Sequence, residues 1–375
     1  MIKKYALWQT RRWLPLFGLI AIAFAGFFLF PAALSNIDLT SGHYYGNAFS
    51  FTPIIQVGLI ATIVVPFFVF SYRFSRKSAD AFMQFAVPER KIKNIRVLLG
   101  LLAIMIPFVA VFWLGTMIVA IRQAVSPRDY WYDYGWITLG FLYLMVAIPA
   151  AYFVICAILS VANNPIDGAL AIAIVQVLLL LTIEPFSQYI KVFDYSSVPY
   201  FNISSYNLTL WSVSSSFSFL FSNMIEGQPF SESAGWATAY TFEAIYIPLF
   251  LVLGSLAMVF TFRKKDPSGE SFGDKGYDMA WPKYSIHVLM GSFAFLIATI
   301  APQLRNWDYS STNGLLIFTV SVIGWSLGYY AILAIQERSF RIPKKELLIG
   351  MGELALLFAL TLPVSLYQAD AYYMA

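Results

Sequence analysis

The chain has 375 residues, of which 59% are hydrophobic and 12% charged, with a formal net charge of +4. A soluble domain carries about 25% charged residues, so these proportions exclude an ordinary water-soluble globular protein. The single cysteine, Cys156, excludes an intrachain disulfide and a multi-cysteine zinc site. The two histidines, His43 and His287, are far apart in the sequence, and we expect no metal site.

The apolar residues are gathered in long runs, each near the roughly 20 residues that a helix needs to cross the hydrocarbon core of a bilayer. The runs are continuously apolar rather than alternating, which favours helices over strands. The sequence therefore predicts an all-α, polytopic membrane bundle of about nine transmembrane helices. In chain order the predicted spans are 13–34, 51–72, 97–121, 136–162, 169–190, 244–262, 286–302, 315–335 and 347–367.

Lysine and arginine are divided unequally between the two sets of connecting loops. If the N-terminus is cytoplasmic, 20 of the 24 basic residues fall on the cytoplasmic side, in the N-terminal tail and in the loops after the second, sixth and eighth spans. Loops that stay in the cytoplasm are enriched in these residues. We therefore predict a cytoplasmic N-terminus, and the odd number of spans places the C-terminus outside the cell.

The longest predicted outer segment covers residues 191–243. Its middle, residues 208–224, is rich in serine and phenylalanine and carries no charge. That composition fits a re-entrant or interface-lying helix, and it fits an ordered outer loop equally well. The sequence leaves these two interpretations open.

Three acidic residues fall in or near predicted spans: Glu184, Glu243 and Glu353. A carboxylate in lipid is costly, so each should face the protein interior or water. Glu353 is the deepest of the three, and a role in a transport pathway and a structural hydrogen bond are both open for it. Glu184 and Glu243 lie near outer helix ends.

The predicted loop between the second and third spans carries a short amphipathic pattern. Ala79, Phe82, Met83 and Ala86 fall at positions i, i+3, i+4 and i+7, which is one face of a helix. Basic residues flank both ends. Such a helix could lie on anionic lipid or dock into a groove on a cytoplasmic partner, and the pattern alone favours lipid.

Three basic stretches occur in a characteristic order. SRKSADAF at 75–82 is followed by VPER at 87–90, RKK at 263–265 is followed by SGESFG at 268–273, and ERSFR stands at 337–341. With a basic N-terminal segment and two spans before the first stretch, this order resembles that of bacterial ABC-2 type transporter permeases. The resemblance extends over most of the chain.

The resemblance implies a non-catalytic permease subunit of an ATP-driven transporter. It implies that residues 75–90 form a coupling helix that docks on a separate ATP-binding cassette subunit, which reverses the preference for lipid. ATP and Mg would be bound in that partner, with no cofactor in this chain and no nucleic acid bound. The contact residues implied are Ser78, Asp80, Phe82, Met83, Pro88, Glu89 and Arg90.

The resemblance also implies a six-helix core over residues 1–262 and three additional helices within 263–375. Additional helices are typical of the branch resembling acetoin-operon and peptide-export permeases of Gram-positive bacteria. The working unit would contain a second permease copy or a paralogue in the bacterial plasma membrane. The aromatic, weakly charged outer loops suit export of a peptide or an amphipathic, lipid-like substrate.

The alternative function is a secondary transporter driven by an ion gradient. That class often has internal inverted repeats and charged residues near the bilayer midplane, and the sequence has no convincing repeat. The chain contains no HExxH, GxSxG or GxxxxGK[ST] motif. We therefore expect no enzymatic activity in the chain itself.

Overall fold

The structure is a computed structural model, and it is all-helical where it describes the chain, with no strand in that part. This confirms the predicted helical class. The residues described are 2–34, 51–74, 88–125, 134–176, 246–264, 287, 290, 311–337, 339–341, 343–356 and 359.

The helices are numbered here in chain order. A π-helical turn, Ala25–Leu29, joins α1 to α2, and a 3₁₀ turn, Ser71–Arg73, follows α3. The helices are α1 Ile2–Phe24, α2 Phe30–Leu34, α3 Thr52–Phe70, α4 Glu89–Val125, α5 Tyr134–Leu159, α6 Pro165–Gln176, α7 Tyr246–Arg263, α8 Ser311–Glu337 and α9 344–356.

Four of the described helices are long and apolar enough to cross a membrane, so the chain has the character of a membrane-embedded protein. The total of nine spans stays a prediction, since parts of the fifth, sixth, seventh and ninth predicted spans lie outside the described residues. The four candidate spans are Lys4–Ala33, Thr52–Arg73, Arg90–Arg122 and Tyr134–Leu159.

Large apolar side chains cover the outward faces of these helices. Leu14, Leu19 and Ile22 on α1 and Ile106 and Met117 on α4 are all more than half exposed. Exposed apolar faces of this extent are unfavourable in water but are the normal surface of a helix in lipid. The sequence pattern and the exposed surface therefore agree on a membrane environment.

The chain divides into two compact units, which are described separately. The first comprises Met1–Gly168 with Leu210–Lys275, and it contains α1 to α5 and α7. The second comprises Ala169–Thr209 with Gly276–Ala375, and it contains α8 and α9. The predicted division after residue 262 stays a prediction.

Helix α4 begins well before its predicted span of 97–121. The carbonyl oxygen of Pro88 accepts hydrogen bonds from the backbone N–H groups of Lys91 (2.8 Å) and Ile92 (3.2 Å), so Pro88 caps the helix. Glu89 and Arg90, the last residues of the predicted coupling segment, therefore form the first turn of α4. Its 37 residues give a length of about 55 Å, more than the roughly 30 Å of hydrocarbon.

Close packing by small residues holds α5 against its neighbours. A Cβ atom added to Gly254 on α7 would lie 2.6 Å from the Cβ of Ala150 on α5 and 2.8 Å from its Cα. On the other side of α5, the Tyr152 hydroxyl lies over Gly100 of α4 and donates a 2.7 Å hydrogen bond to the carbonyl of Val97. Small residues commonly allow such approaches between membrane helices.

Aromatic rings fill the first unit near the C-terminal ends of α1 and α4. Phe28, in the π-helical turn, packs on Phe51 and Phe112 with ring centroids 5.6 and 6.1 Å apart. Phe112 also contacts Phe141 of α5 at 5.0 Å. At the same end Arg122 donates a 2.8 Å hydrogen bond to the carbonyl of Ala32.

Candidate functional site

Most of the predicted coupling and pathway residues lie outside the described part of the chain. Pro88 caps α4, Glu89 is its first residue, Arg90 contacts α7, and Glu353 lies on α9. The residues outside the described part are Ser78, Asp80, Phe82, Met83, Glu184 and Glu243.

Basic side chains lie at both boundaries of the predicted coupling segment, and three of them, Arg73, Lys93 and Arg96, are buried. Helices α3, α5 and α7 end close together in the first unit, and carbonyl groups in the last turn of a helix lack partners within the helix. These ends also carry the partial negative charge of the helix dipole. Five basic side chains donate to their carbonyls, and we call this set the basic collar: Arg73, Arg90, Lys93, Arg96 and Lys264.

Arg96 of α4 holds the end of α3. Its guanidinium donates to the carbonyl oxygens of Phe68 (2.6 Å) and Val69 (2.7 Å). The same group lies over the rings of Trp13 (5.6 Å) and Tyr72 (5.1 Å). Arg96 therefore links α1, α3 and α4 through contacts that satisfy a buried positive charge.

Arg73 and Lys264 both hold the end of α5. Each donates a hydrogen bond from its side chain to the carbonyl oxygen of Ser160, the residue that follows α5. Arg73 is fully buried. One carbonyl thus receives two cations, one from the end of α3 and one from the end of α7.

Two further cations join α4 to the end of α7. Arg90 donates from Nε to the carbonyl of Phe262 at 3.1 Å, and Lys93 donates to the carbonyl of Lys264. Arg90, Lys93 and Arg96 are spaced three residues apart, so they lie along one side of the helix. This spacing lets the polar part of α4 bond to the ends of α3 and α7.

The buried acid Asp167 has a structural role at the start of α6. Its backbone N–H donates to the side-chain oxygen of Asn164 at 2.9 Å, and the Asn164 amide donates back to the Asp167 carboxylate. Pro165 occupies the first helical position, where its missing N–H costs nothing. This reciprocal arrangement is a helix cap, which accounts for a carboxylate buried in the first unit.

The second unit contains a cluster of titratable side chains, which we call the His287 cluster: His287, Tyr329, Glu346 and Glu353. The Nε2 atom of His287 lies 2.8 Å from Oε2 of Glu346. Its Nδ1 atom lies 2.9 Å from the Tyr329 hydroxyl and 3.9 Å from Oε1 of Glu353. The Tyr329 hydroxyl is also 3.3 Å from the backbone carbonyl of Glu346.

Neighbouring residues hold Tyr329 in place. Its ring stacks on Trp325 with centroids 5.4 Å apart and an interplanar angle of 11°. The indole N–H of Trp325 donates a 2.9 Å hydrogen bond to the carbonyl of Met290. Gly350 of α9 lies directly against the Tyr329 ring, where a Cβ atom would clash. The phenol therefore approaches His287 from a fixed position.

Sequence reasoning identified Glu353 but not the other members of this cluster. The partners Tyr329 and His287 are 42 residues apart, so no local pattern joins them. A partial signal was present in α9, because Glu346 and Glu353 are seven residues apart and thus lie on the same face of a helix. That shared face indicates one common environment for the two carboxylates.

Among the described residues, no group of three or more His, Cys, Asp and Glu is arranged to hold a metal ion.

Comparisons with known proteins give no family model, no curated protein and no solved structure that matches the chain. The similarity to ABC-2 type permeases consequently stays a prediction from the quoted residues.

Proposed function

We propose that the chain is the transmembrane permease subunit of an ATP-driven ABC transporter, in which residues 75–87, the part of the predicted coupling segment 75–90 that precedes Pro88, contact the ATP-binding cassette. The observation that carries the proposal is the anchoring on both sides of that segment. Before it, Arg73 is bonded to the end of α5. After it, Arg90 and Lys93 are bonded to the end of α7.

This anchoring gives a mechanical route from a docked partner to the bundle. A displacement of residues 75–87 would be passed through Arg73 to α5, and through Arg90 and Lys93 to α7. Because each link is a bond from a cation to a helix-end carbonyl, the helix ends move with the segment. Closure of two cassettes on ATP would then favour one of two packings of the bundle. ATP and Mg would be bound by the partner.

The proposed assembly contains two permease subunits, identical or paralogous, in the bacterial plasma membrane, with the N-terminus cytoplasmic. The predicted outer loops are aromatic and weakly charged. Tyrosine and tryptophan combine an apolar ring with a polar tip, so this surface suits export of a peptide or another amphipathic substrate.

A second candidate function is transport driven by an ion gradient. It is favoured by the His287 cluster, since ionisable groups within helical membrane segments commonly mark ion or proton pathways. The same contacts also fit a structural role within a permease, so this observation does not displace the first proposal.

The test of the proposal is a double substitution in the proposed contact, Asp80→Arg with Phe82→Ala. The tagged full chain is purified from its native membrane and treated with a photoreactive ATP analogue. We expect an ATP-labelled subunit to copurify with the unmodified chain and to be lost from the variant. The matched control, Asp38→Arg with Phe49→Ala, makes the same chemical changes in a predicted outer loop and should retain the labelled subunit.

Two outcomes would contradict the proposal. One is an equal amount of labelled subunit with the contact variant and the control variant. The other is that no ATP-labelled subunit copurifies and that proteoliposomes containing the chain alone transport under a proton gradient without ATP. The second result would establish the gradient-driven alternative.

A further inference from the structure

The first turns of α1 have two opposite faces. On one face Tyr5, Gln9 and Trp13 are buried, and the guanidinium of Arg96 from α4 lies over the Trp13 ring. The residues of the other face are exposed and spaced three and four apart along one side of the helix, and we call them the basic stripe: Lys4, Leu7, Trp8, Arg11 and Arg12. We infer that the basic stripe binds the headgroups of anionic phospholipids. The inference depends on the membrane-embedded character of the chain and not on the proposed function.

The first step concerns the depth of the basic stripe in the membrane. Arg96 joins Trp13 to the end of α3, since the same guanidinium donates to carbonyl oxygens at that end. Because α3 is a candidate span, its end marks the edge of the hydrocarbon. Leu7 to Arg12 come one to six residues before Trp13, which is about 1.5–9 Å along the helix axis. The interfacial layer adds about 5–8 Å to each side of the hydrocarbon, so the stripe lies at the level of the headgroups.

The second step concerns charge. Residues 1–37 contain four basic residues and no aspartate or glutamate. A basic residue next to an anionic membrane surface strengthens binding by about fivefold. Arginine adds geometry to this attraction, because its guanidinium can donate two parallel hydrogen bonds to the oxygens of one phosphate. The basic stripe therefore favours a lipid with a net negative charge over a zwitterionic lipid.

The third step distinguishes a lipid from a soluble anion. Leu7 and Trp8 lie among the cations of the stripe and are 59% and 43% exposed. Leu14, which is 66% exposed, follows Leu7 by seven residues and continues the apolar surface toward the hydrocarbon. The Arg12 guanidinium lies 5.6 Å from the centroid of the Trp8 ring, so a cation and an apolar ring are presented together. A phospholipid covers both with its phosphate and its acyl chains, whereas a soluble anion would leave the apolar side chains in water.

The experiment measures which lipids surround the stripe. The only cysteine, Cys156, is fully buried, so the full chain with Cys156→Ala and Leu7→Cys carries one fluorescent label at the stripe. The protein is placed in vesicles of equal parts phosphatidylcholine and phosphatidylglycerol, in which one lipid or the other carries a nitroxide quencher close to its headgroup. We expect the quenching to show at least about fivefold enrichment of phosphatidylglycerol.

A matched label at the other end of the same helix provides the control. Phe27 is 62% exposed and lies 20 residues beyond Leu7, which is about 30 Å along the axis and thus in the opposite leaflet. In the Cys156→Ala background, a label at Phe27→Cys should be quenched equally by the two lipids. An enrichment of the same size at both positions would contradict a site at the stripe.

Two variants test the cause of the enrichment at Leu7. Lys4→Gln with Arg11→Gln and Arg12→Gln removes the charge of the stripe and should abolish the enrichment. Arg11→Lys with Arg12→Lys keeps the charge and should keep most of it. Equal quenching by the two lipids in the otherwise unmodified chain would overturn the inference, and so would an enrichment that persists in the glutamine variant. A label that neither lipid quenches would show that protein covers the stripe, which also overturns it.

Discussion

The basic collar of the first unit and the His287 cluster of the second both bury charged groups between helices, but their partners differ. In the collar, arginine and lysine side chains bond to backbone carbonyls, whose charge does not change with pH. In the His287 cluster, the imidazole lies beside two carboxylates and a phenol, which are all side chains. The collar therefore ties side chains to the ends of helices, whereas the cluster joins the side chains of separate helices to one another.

The largest expected effect comes from removing the central cation of the collar. Arg96→Met removes the hydrogen bonds from the guanidinium to the carbonyls of Phe68 and Val69, and it should lower the free energy of unfolding by about 1.5–3 kcal/mol for each bond. Unfolding in detergent as a function of temperature or denaturant measures the loss. The control Arg12→Met removes an exposed arginine that lies over Trp8, and it should cost less than about 1 kcal/mol. Equal losses would show that Arg96 does not hold α3.

The second prediction compares glycines in the two units. Gly254→Ala places a methyl group 2.6 Å from the Cβ of Ala150, so α5 and α7 must separate, at a cost of about 1–3 kcal/mol. A Cβ atom added to Gly324 of α8 would have no neighbouring heavy atom within 4 Å. Gly324→Ala should therefore be neutral or stabilise the protein by up to about 1 kcal/mol, since alanine is the better helix former. Unfolding measurements on both variants check this, and a costly Gly324→Ala would contradict it.

The third prediction concerns the shared carbonyl of Ser160. Lys264→Met should cost only about 1 kcal/mol, because Arg73 still donates to the same oxygen. When Arg73→Met is also present, the loss should exceed the sum of the two single losses, since the carbonyl then has neither cation. A double-mutant cycle measures this coupling. Strictly additive losses would mean that the two cations act independently.

The sequence predicted the apolar middle of α4 but not its polar extension. Hydropathy identified the span 97–121, because the hydrocarbon requires apolar residues there. It could not identify the start of α4 at Glu89, since that extension is held by bonds from Arg90 and Lys93 to the end of α7. Those partners are more than 150 residues away in the chain.

The candidate sites also depend on contacts between residues that are far apart in the chain, which hydropathy does not predict. The distribution of Lys and Arg among the loops predicted that basic residues lie on one side of the membrane. The basic collar contains residues from two of those loops. Hydropathy gave no reason to pair His287 with α8 or α9, because a polar contact between distant helices leaves no periodic signal. Glu353 was identified because one charged residue in an apolar run is conspicuous, whereas Tyr329 is an ordinary residue in a membrane helix.

The smallest expected effects come from removing one tyrosine hydroxyl in each unit, which is the same chemical change in both. Tyr152→Phe removes the hydrogen bond to the carbonyl of Val97 and should cost about 1 kcal/mol. Tyr329→Phe removes a hydroxyl that lies within hydrogen-bonding distance of two partners, Nδ1 of His287 and the carbonyl of Glu346, so it should cost about twice as much. Unfolding free energies of the two variants provide the measurement. Equal costs for the two tyrosines would mean that only one of the two contacts of Tyr329 stabilises the second unit.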